Sequence, residues 1–251
     1  MKSFKLILII LFLFYISDSF SSTGFLDEQK KNPRVKVALS EKSDDILNKI
    51  KSIGLSKPEF HIYIRIFKYE QLVQLWIKKT SVDTFSLIQT YPFSANSGDL
   101  GPKRKQGDLQ IPEGFYHIDT FNPYSIFYIS LGINYPNRSD RILGDKNTGG
   151  DIFIHGNNVT IGCVPITDDK IKELYLFAVY AKESGQNDIP VHIFPYNFNN
   201  QITRNKIKND LNYRKYSTFW LNLEEGYQLF EKDHKVPSYQ IDESSGDYNF
   251  D

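Results

Sequence analysis

The run FHIYIRIFKYEQLVQLWIKK, residues 60–79, decides how the rest of the chain is read. In its first half Ile62, Ile64 and Ile66 alternate with Tyr63, Arg65 and Phe67, the period of two that sends successive side chains to opposite faces of a strand. Tyr69 and Glu70 interrupt the pattern and QLVQLWIKK resumes it, so the segment predicts a β-hairpin. Strand patterns recur in TFSLIQTY (84–91, ended by Pro92), GFYHIDT (114–120), SIFYISLGI (125–133) and PVHIFPY (190–196). Around Ile154 the alternation sets Ile152 and Ile154 against Phe153 and His155.

Helical signals are fewer. Ile171, Leu174, Tyr175 and Ala178 form one stripe of a helix from Asp168 to Ser184, with Thr167 as N-cap candidate and Gly185 as stop. Phe219, Leu221, Leu223 and Tyr227 mark an amphipathic helix from Tyr216 to Lys232 that packs on the domain surface despite Gly226 inside it. Thr23 to Ser43 is polar and unpatterned, followed by a short helix over Asp44 to Ile53. Ser94 to Gln110 and Tyr135 to Gly150 read as loops, the first long enough for a lid or binding loop, and Pro237 to Asp251 as extended chain. The expected class is mainly β with helices (α+β).

At 251 residues and 40% hydrophobic, the chain supports one sizeable core with an appendage. Thirty basic residues balance thirty acidic ones, so no global field draws it to nucleic acid or anionic lipid. The N-terminus carries two lysines, an apolar run from Leu6 to Ile16 and small polar residues around Ser19 to Ser22. That is the pattern of a secretory signal cleaved after Ser21, with membrane attachment only if the segment is retained. The expected organisation is a signal peptide at 1–21, a lead-in at 22–58, a main domain at 59–197 and a C-terminal helical extension at 198–251 packed on it.

Chemistry concentrates in DIFIHGNNVTIGCVPITDD, residues 151–169, which holds the single cysteine, Cys163, and His155 eight positions before it. In an exported protein an unpaired cysteine is a reactive thiol or an intermolecular bridge, unless it is a small buried hydrophobe. An ordinary thiol is only a few per cent thiolate at neutral pH and needs a base; His155 supplies one, and a following helix N-terminus would favour the anion. Backbone N–H groups around Gly162 and Cys163 are candidates for an oxyanion hole. His117 and His192 lie in strand patterns and read as structural, and no metal or cofactor is expected, since no Cys/His cluster has ligand spacing. P-loop, dinucleotide and G-x-S-x-G signatures are missing from the sequence.

The string IHGNNVTIGC resembles the His-Gly, Ser/Thr-x-Gly-Cys signature of the YkuD-type L,D-transpeptidase catalytic domain, in the short-spaced form of its YafK-like branch. The hairpin quoted above, SGDLGPKRKQGDLQIPEGFYHI, NYPNRSDR, VHIFP and FWLNLEEGYQLFEK extend the likeness from about Phe60 to Lys232. The resemblance implies a β-sandwich-type catalytic domain at 59–197, Cys163 as nucleophile and His155 as base. Thr160 matches the Ser/Thr position, and Gly156 and Gly162 the glycines. It implies an exported, periplasmic or cell-envelope enzyme of cell-wall biogenesis acting on peptidoglycan peptide stems at meso-diaminopimelate through a thioester. Better-known members have a longer His-to-Cys spacing and a polar or basic residue where this chain has Pro165. The branch includes hydrolases that release a lipoprotein from peptidoglycan, so amide hydrolysis is the alternative outcome and a non-catalytic peptidoglycan-binding module a third. Tyr135 and Arg141 are the candidate substrate contacts.

Overall fold

The computed structural model describes residues 24–251; the expected signal segment lies outside them. Two helices come first, α1 (Phe25–Gln29) and α2 (Pro33–Ser52). Asn32 caps α2 by accepting from the Arg34 N–H at 2.8 Å, and Pro33 occupies the first turn, where its missing N–H costs nothing. This corrects the reading of Thr23 to Ser43 as unpatterned. The stripe that α2 buries is only Val35, Ala38, Ile46 and Ile50, with a lysine, Lys42, in the gap.

The hairpin forms as expected from β1 (Phe60–Phe67) and β2 (Leu72–Lys79), in antiparallel register from Phe60 opposite Lys79 to Phe67 opposite Leu72. β3 (Ser86–Pro92), β4 (Gly114–Asn122) and β5 (Ser130–Ile133) follow. β5 is shorter than the expected 125–133 strand because its first half is a turn. Tyr128 has a positive φ of 76°, and the Arg34 guanidinium pins the turn by donating to the Ser125 and Tyr128 carbonyls. The loop expected at 135–150 contains α3 (Arg138–Leu143), closed by a reciprocal capping box between Asn137 and Asp140.

The remaining elements are β6 (Phe153–His155), β7 (Val164–Pro165), α4 (Asp168–Glu183), β8 (Ile189–Phe194), α5 (Gln201–Asn209), a 3-10 helix (Leu211–Tyr216), α6 (Ser217–Asp233), β9 (Tyr239–Ile241) and β10 (Tyr248–Phe250). The last two pair as a hairpin where extended chain was expected. One mixed sheet of eight strands has the order β3-β2-β1-β8-β4-β5-β6-β7, and β8 sits in its middle, parallel to β1 and antiparallel to β4. This is the α+β domain with C-terminal helices.

Both faces of the sheet are covered, which is why β1 is buried along nearly its whole length. Ile62, Ile64 and Ile66 join the core with α2 and α4, where Leu174, Phe177 and Ala178 are fully buried. Tyr63 and Phe67 face the opposite layer, built on α6 by Leu223, Tyr227 and Phe230. Arg65 is buried in that layer over the rings of Phe67, Trp76, Tyr227 and Phe230, its charge paired with Glu231 at 2.5 Å. Gly226 lets α6 come this close: a β-carbon there would overlap Phe250 and Phe115.

Candidate active site

β6 and β7 run parallel at one edge of the sheet, with Ile154 opposite Val164 and His155 opposite Pro165. Continued back by one position, this register sets Phe153 beside Cys163, and the Phe153 N–H donates to Cys163 Sγ at 3.4 Å. His155 and Cys163 therefore lie two positions apart along neighbouring strands, about 8 Å between Cα atoms by strand geometry. The seven residues between them fold back as the loop Gly156–Gly162.

His155 is 1% exposed and its ring is held on two sides. Phe127 stacks on it with centroids 4.5 Å apart, and Nδ1 lies 2.6 Å from the Gly156 carbonyl oxygen. A carbonyl only accepts, so Nδ1 carries the proton and Nε2 the lone pair. Nε2 is buried and has no hydrogen-bond partner among the described residues. Burial pulls the imidazole pKa below its ordinary 6.5, with the Gly156 carbonyl pulling the other way.

The Cys163 thiol sits between a donor and an acceptor: it receives the Phe153 N–H and donates to the Asp151 carbonyl at 3.6 Å. Asp151 is in the left-handed region at φ 56°, the turn that brings its carbonyl back to the sulfur. Burial pushes the thiol pKa up from 9.0. The Phe153 N–H and the Lys103 charge oppose this, and the Asp151 charge adds to it. The expected help from a helix N-terminus is not what the fold provides. β7 intervenes between Cys163 and α4, and the first turn of α4 carries Asp168 and Asp169. Thr167 precedes α4 at φ 73° and makes no side-chain cap; the Asp168 carboxylate instead accepts from the Asn157 N–H at 2.7 Å.

The loop glycines and Thr160 shape this turn. Thr160 Oγ1 donates to the Cys163 carbonyl at 2.7 Å and accepts from the Gly162 N–H at 3.1 Å. The Gly162 amide is thus engaged within the loop, while no acceptor for the Cys163 amide is found among the described residues. Gly162 has φ 134°, open to glycine only, and a β-carbon would lie 3.0 Å from the Gln110 carbonyl. Gly156 packs so closely that a β-carbon would overlap Asp168 and the Phe127 carbonyl.

The long polar loop 94–110 lies against this segment. Ser94 bonds the Pro165 carbonyl through its N–H at 2.9 Å and the Asn157 carbonyl through its hydroxyl at 2.7 Å. Tyr135 is 6% exposed with its hydroxyl within reach of the Lys103 and Thr148 carbonyls, at 3.3 and 3.1 Å, so it braces this loop against the chain leading to Asp151. Arg141 is exposed in the last turn of α3. Lys103, Asp151, Phe153 and Phe127 were not singled out by sequence. Three of them act through backbone groups or ring stacking, which residue identity does not announce. Among the described residues no three His, Cys, Asp or Glu side chains gather as a metal site.

A buried histidine with one ring nitrogen committed and the other open thus lies on the strand next to a half-buried thiol at the edge of a mixed sheet. The chain belongs to the YkuD family, whose L,D-transpeptidase catalytic domain profile matches residues 62–193. It is 34% identical over 183 residues to the L,D-transpeptidase candidate YafK of Escherichia coli strain K12, covering 72% of this chain and 70% of that protein. Among solved structures it is similar to the helical cell shape determining protein Pgp2 of Campylobacter jejuni, with 15% identity, 74% of each chain covered and a TM-score of 0.43. It is also similar to L,D-transpeptidase 1 of Mycobacterium tuberculosis, with 11% identity, 53% and 62% covered and a TM-score of 0.29. Those scores are low, and membership rests on the sequence matches.

Proposed function

We propose that the protein is an exported cysteine enzyme that acts on peptidoglycan peptide stems at meso-diaminopimelate. The observation that carries the reading is the committed Nδ1 of His155, which leaves a buried, unpartnered Nε2 as base on the strand next to Cys163. Nε2 takes the thiol proton and the sulfur attacks the stem amide carbonyl. The tetrahedral oxyanion is met by the free Cys163 N–H. Collapse breaks the C–N bond, the imidazolium returns its proton to the leaving amine, and a thioester on Cys163 remains. An incoming amine or water, deprotonated by His155, then resolves it as transpeptidation or hydrolysis. Family membership and the likeness to YafK support peptidoglycan as the substrate.

Cys163→Ala and His155→Ala should each abolish turnover of a tetrapeptide muropeptide with the fold retained by circular dichroism. Mass spectrometry of the native protein with the muropeptide or a carbapenem should show an adduct on Cys163. Turnover by Cys163→Ala would end the proposal, and binding with neither adduct nor product would make the site a binding module. Products from sacculi with and without attached lipoprotein separate transfer from hydrolysis. The domain at 59–197 is the unit to which the reaction is assigned, with 198–251 as its covering extension.

A further inference from the structure

Between α5, the 3-10 helix and α6 lies a cavity of about 290 Å³ that none of the Cys163 site residues lines. Its floor is Trp220, held rigidly: the indole N–H donates to the buried Glu113 carboxylate at 2.7 Å, and the rings of Tyr196, Tyr213 and Tyr216 stand 5.5–5.9 Å away. Across the cavity Arg204 and Glu224 form an ion pair. Lys208 and Arg214, both exposed, add two positive charges to the lining with no carboxylate in salt-bridge range among the described residues. A second cavity of about 220 Å³ shares Tyr213 with the first, and the Tyr213 hydroxyl donates to Asp99 there at 2.8 Å.

These features select a ligand chemistry. Fixed aromatic faces suit the C–H face of a sugar ring, and an ion pair that offers donors and acceptors together suits hydroxyl and acetamido groups. An alkyl chain would leave that ion pair desolvated without compensation. The uncompensated cations call for a negative group on the ligand, and two cavities sharing one tyrosine suit consecutive units of a polymer. We propose that this cleft is a saccharide-binding site for a carboxylate-bearing glycan, with the half-buried Tyr213, backed by the buried Trp220, as platform and Lys208 and Arg214 as anion contacts. The identity of the glycan as peptidoglycan backbone rests on the proposed function, and there the carboxylate is the lactyl group of muramic units that carry no stem; the saccharide class does not rest on it.

Tryptophan emission reads the site, because Trp220 lines the cavity and the other tryptophan, Trp76, lies apart from it against Phe230 and Arg65. Titration with N-acetylmuramic acid should give a saturable change, with a weaker response to neutral N-acetylglucosamine. The double variant Lys208→Ala/Arg214→Ala should weaken it roughly tenfold, the loss of a charge-assisted contact. Its Cys163 alkylation rate should stay unchanged, which shows that the fold persists. No saturable change, an equal response to the neutral sugar, or a titration untouched by the double variant would overturn the proposal, as would preferential binding of decanoate. A saturable titration in a protein that never acylates Cys163 would remove the reaction and keep this site; acylation without the titration would do the reverse.

Discussion

Burial favours the neutral forms of both His155 and Cys163: it depresses the imidazole below its ordinary 6.5 and raises the thiol above its ordinary 9.0. Between the two displaced values neither group is charged, so these shifts predict a thiol beside a neutral imidazole in the unliganded protein rather than a preformed thiolate–imidazolium pair. The sign of the pH dependence follows. With His155 as the proposed base, that role is lost only below its lowered pKa, so the acid limb of kcat/KM should fall below pH 6.5. Since the thiol ionises only above its raised pKa, alkylation of the free enzyme by iodoacetamide should still be climbing at pH 9.0. A rate already on its plateau at pH 7 would show a preformed thiolate and contradict this account. Cysteine and histidine were legible because their side chains are chemically rare. The groups that tune them, the Gly156 carbonyl, Phe153 amide and Asp151 carbonyl, belong to the backbone and depend on a register that only the fold fixes.

Among the elements, legibility followed the size and regularity of the buried side chains. The β1–β2 hairpin could be read because large aliphatic residues alternate without a break. α2 could not, because its stripe is short and α2 docks on α4 through the pairs Glu41–Lys172, Lys42–Asp169 and Lys49–Glu173, which leave no periodic mark. The same limit applies to Lys68, just past β1, which looks like a solvated turn residue but is 3% exposed. Its ammonium donates to the Gly101 and Ile111 carbonyls at 2.6 and 2.8 Å and pairs at 3.0 Å with Glu113. Glu113 in turn accepts from the Gly101 N–H and Trp220. This network ties the hairpin, the long loop and α6 together. Lys68→Met should destabilise by about 3–5 kcal/mol, because it strands a buried carboxylate. Lys68→Met with Glu113→Gln should recover part of that, because glutamine removes the stranded charge and its single amide oxygen still accepts from one of the two donors, the Gly101 N–H or the Trp220 indole. Urea midpoints of the two variants measure the difference, and equal midpoints would show that the stranded charge is not the cause.

For the whole molecule, the division between residues 59–197 and 198–251 is one of sequence more than of packing. The family match ends at residue 193, yet the sheet it describes has two apolar faces. One is closed by α2 and α4. The other carries Tyr63, Phe67, Phe115 and Phe194, all buried, and their cover comes from Trp220, Leu223, Tyr227, Phe230 and Tyr248, beyond the matched segment. Arg65 sharpens the dependence, since its partner Glu231 and two of the four rings over which it lies are on α6. Removing α5, α6 and the last hairpin would expose that aromatic face together with an unpaired arginine, more apolar surface than a monomer tolerates. A chain ending at residue 197 should therefore be recovered aggregated, or as an expanded state that binds ANS and lacks near-ultraviolet dichroism. Adding residues 198–251 as a separate peptide should not restore thiol protection at Cys163 if the two layers fold only together. A truncated chain that stays monomeric with native near-ultraviolet dichroism would show instead that the extension is a detachable appendage.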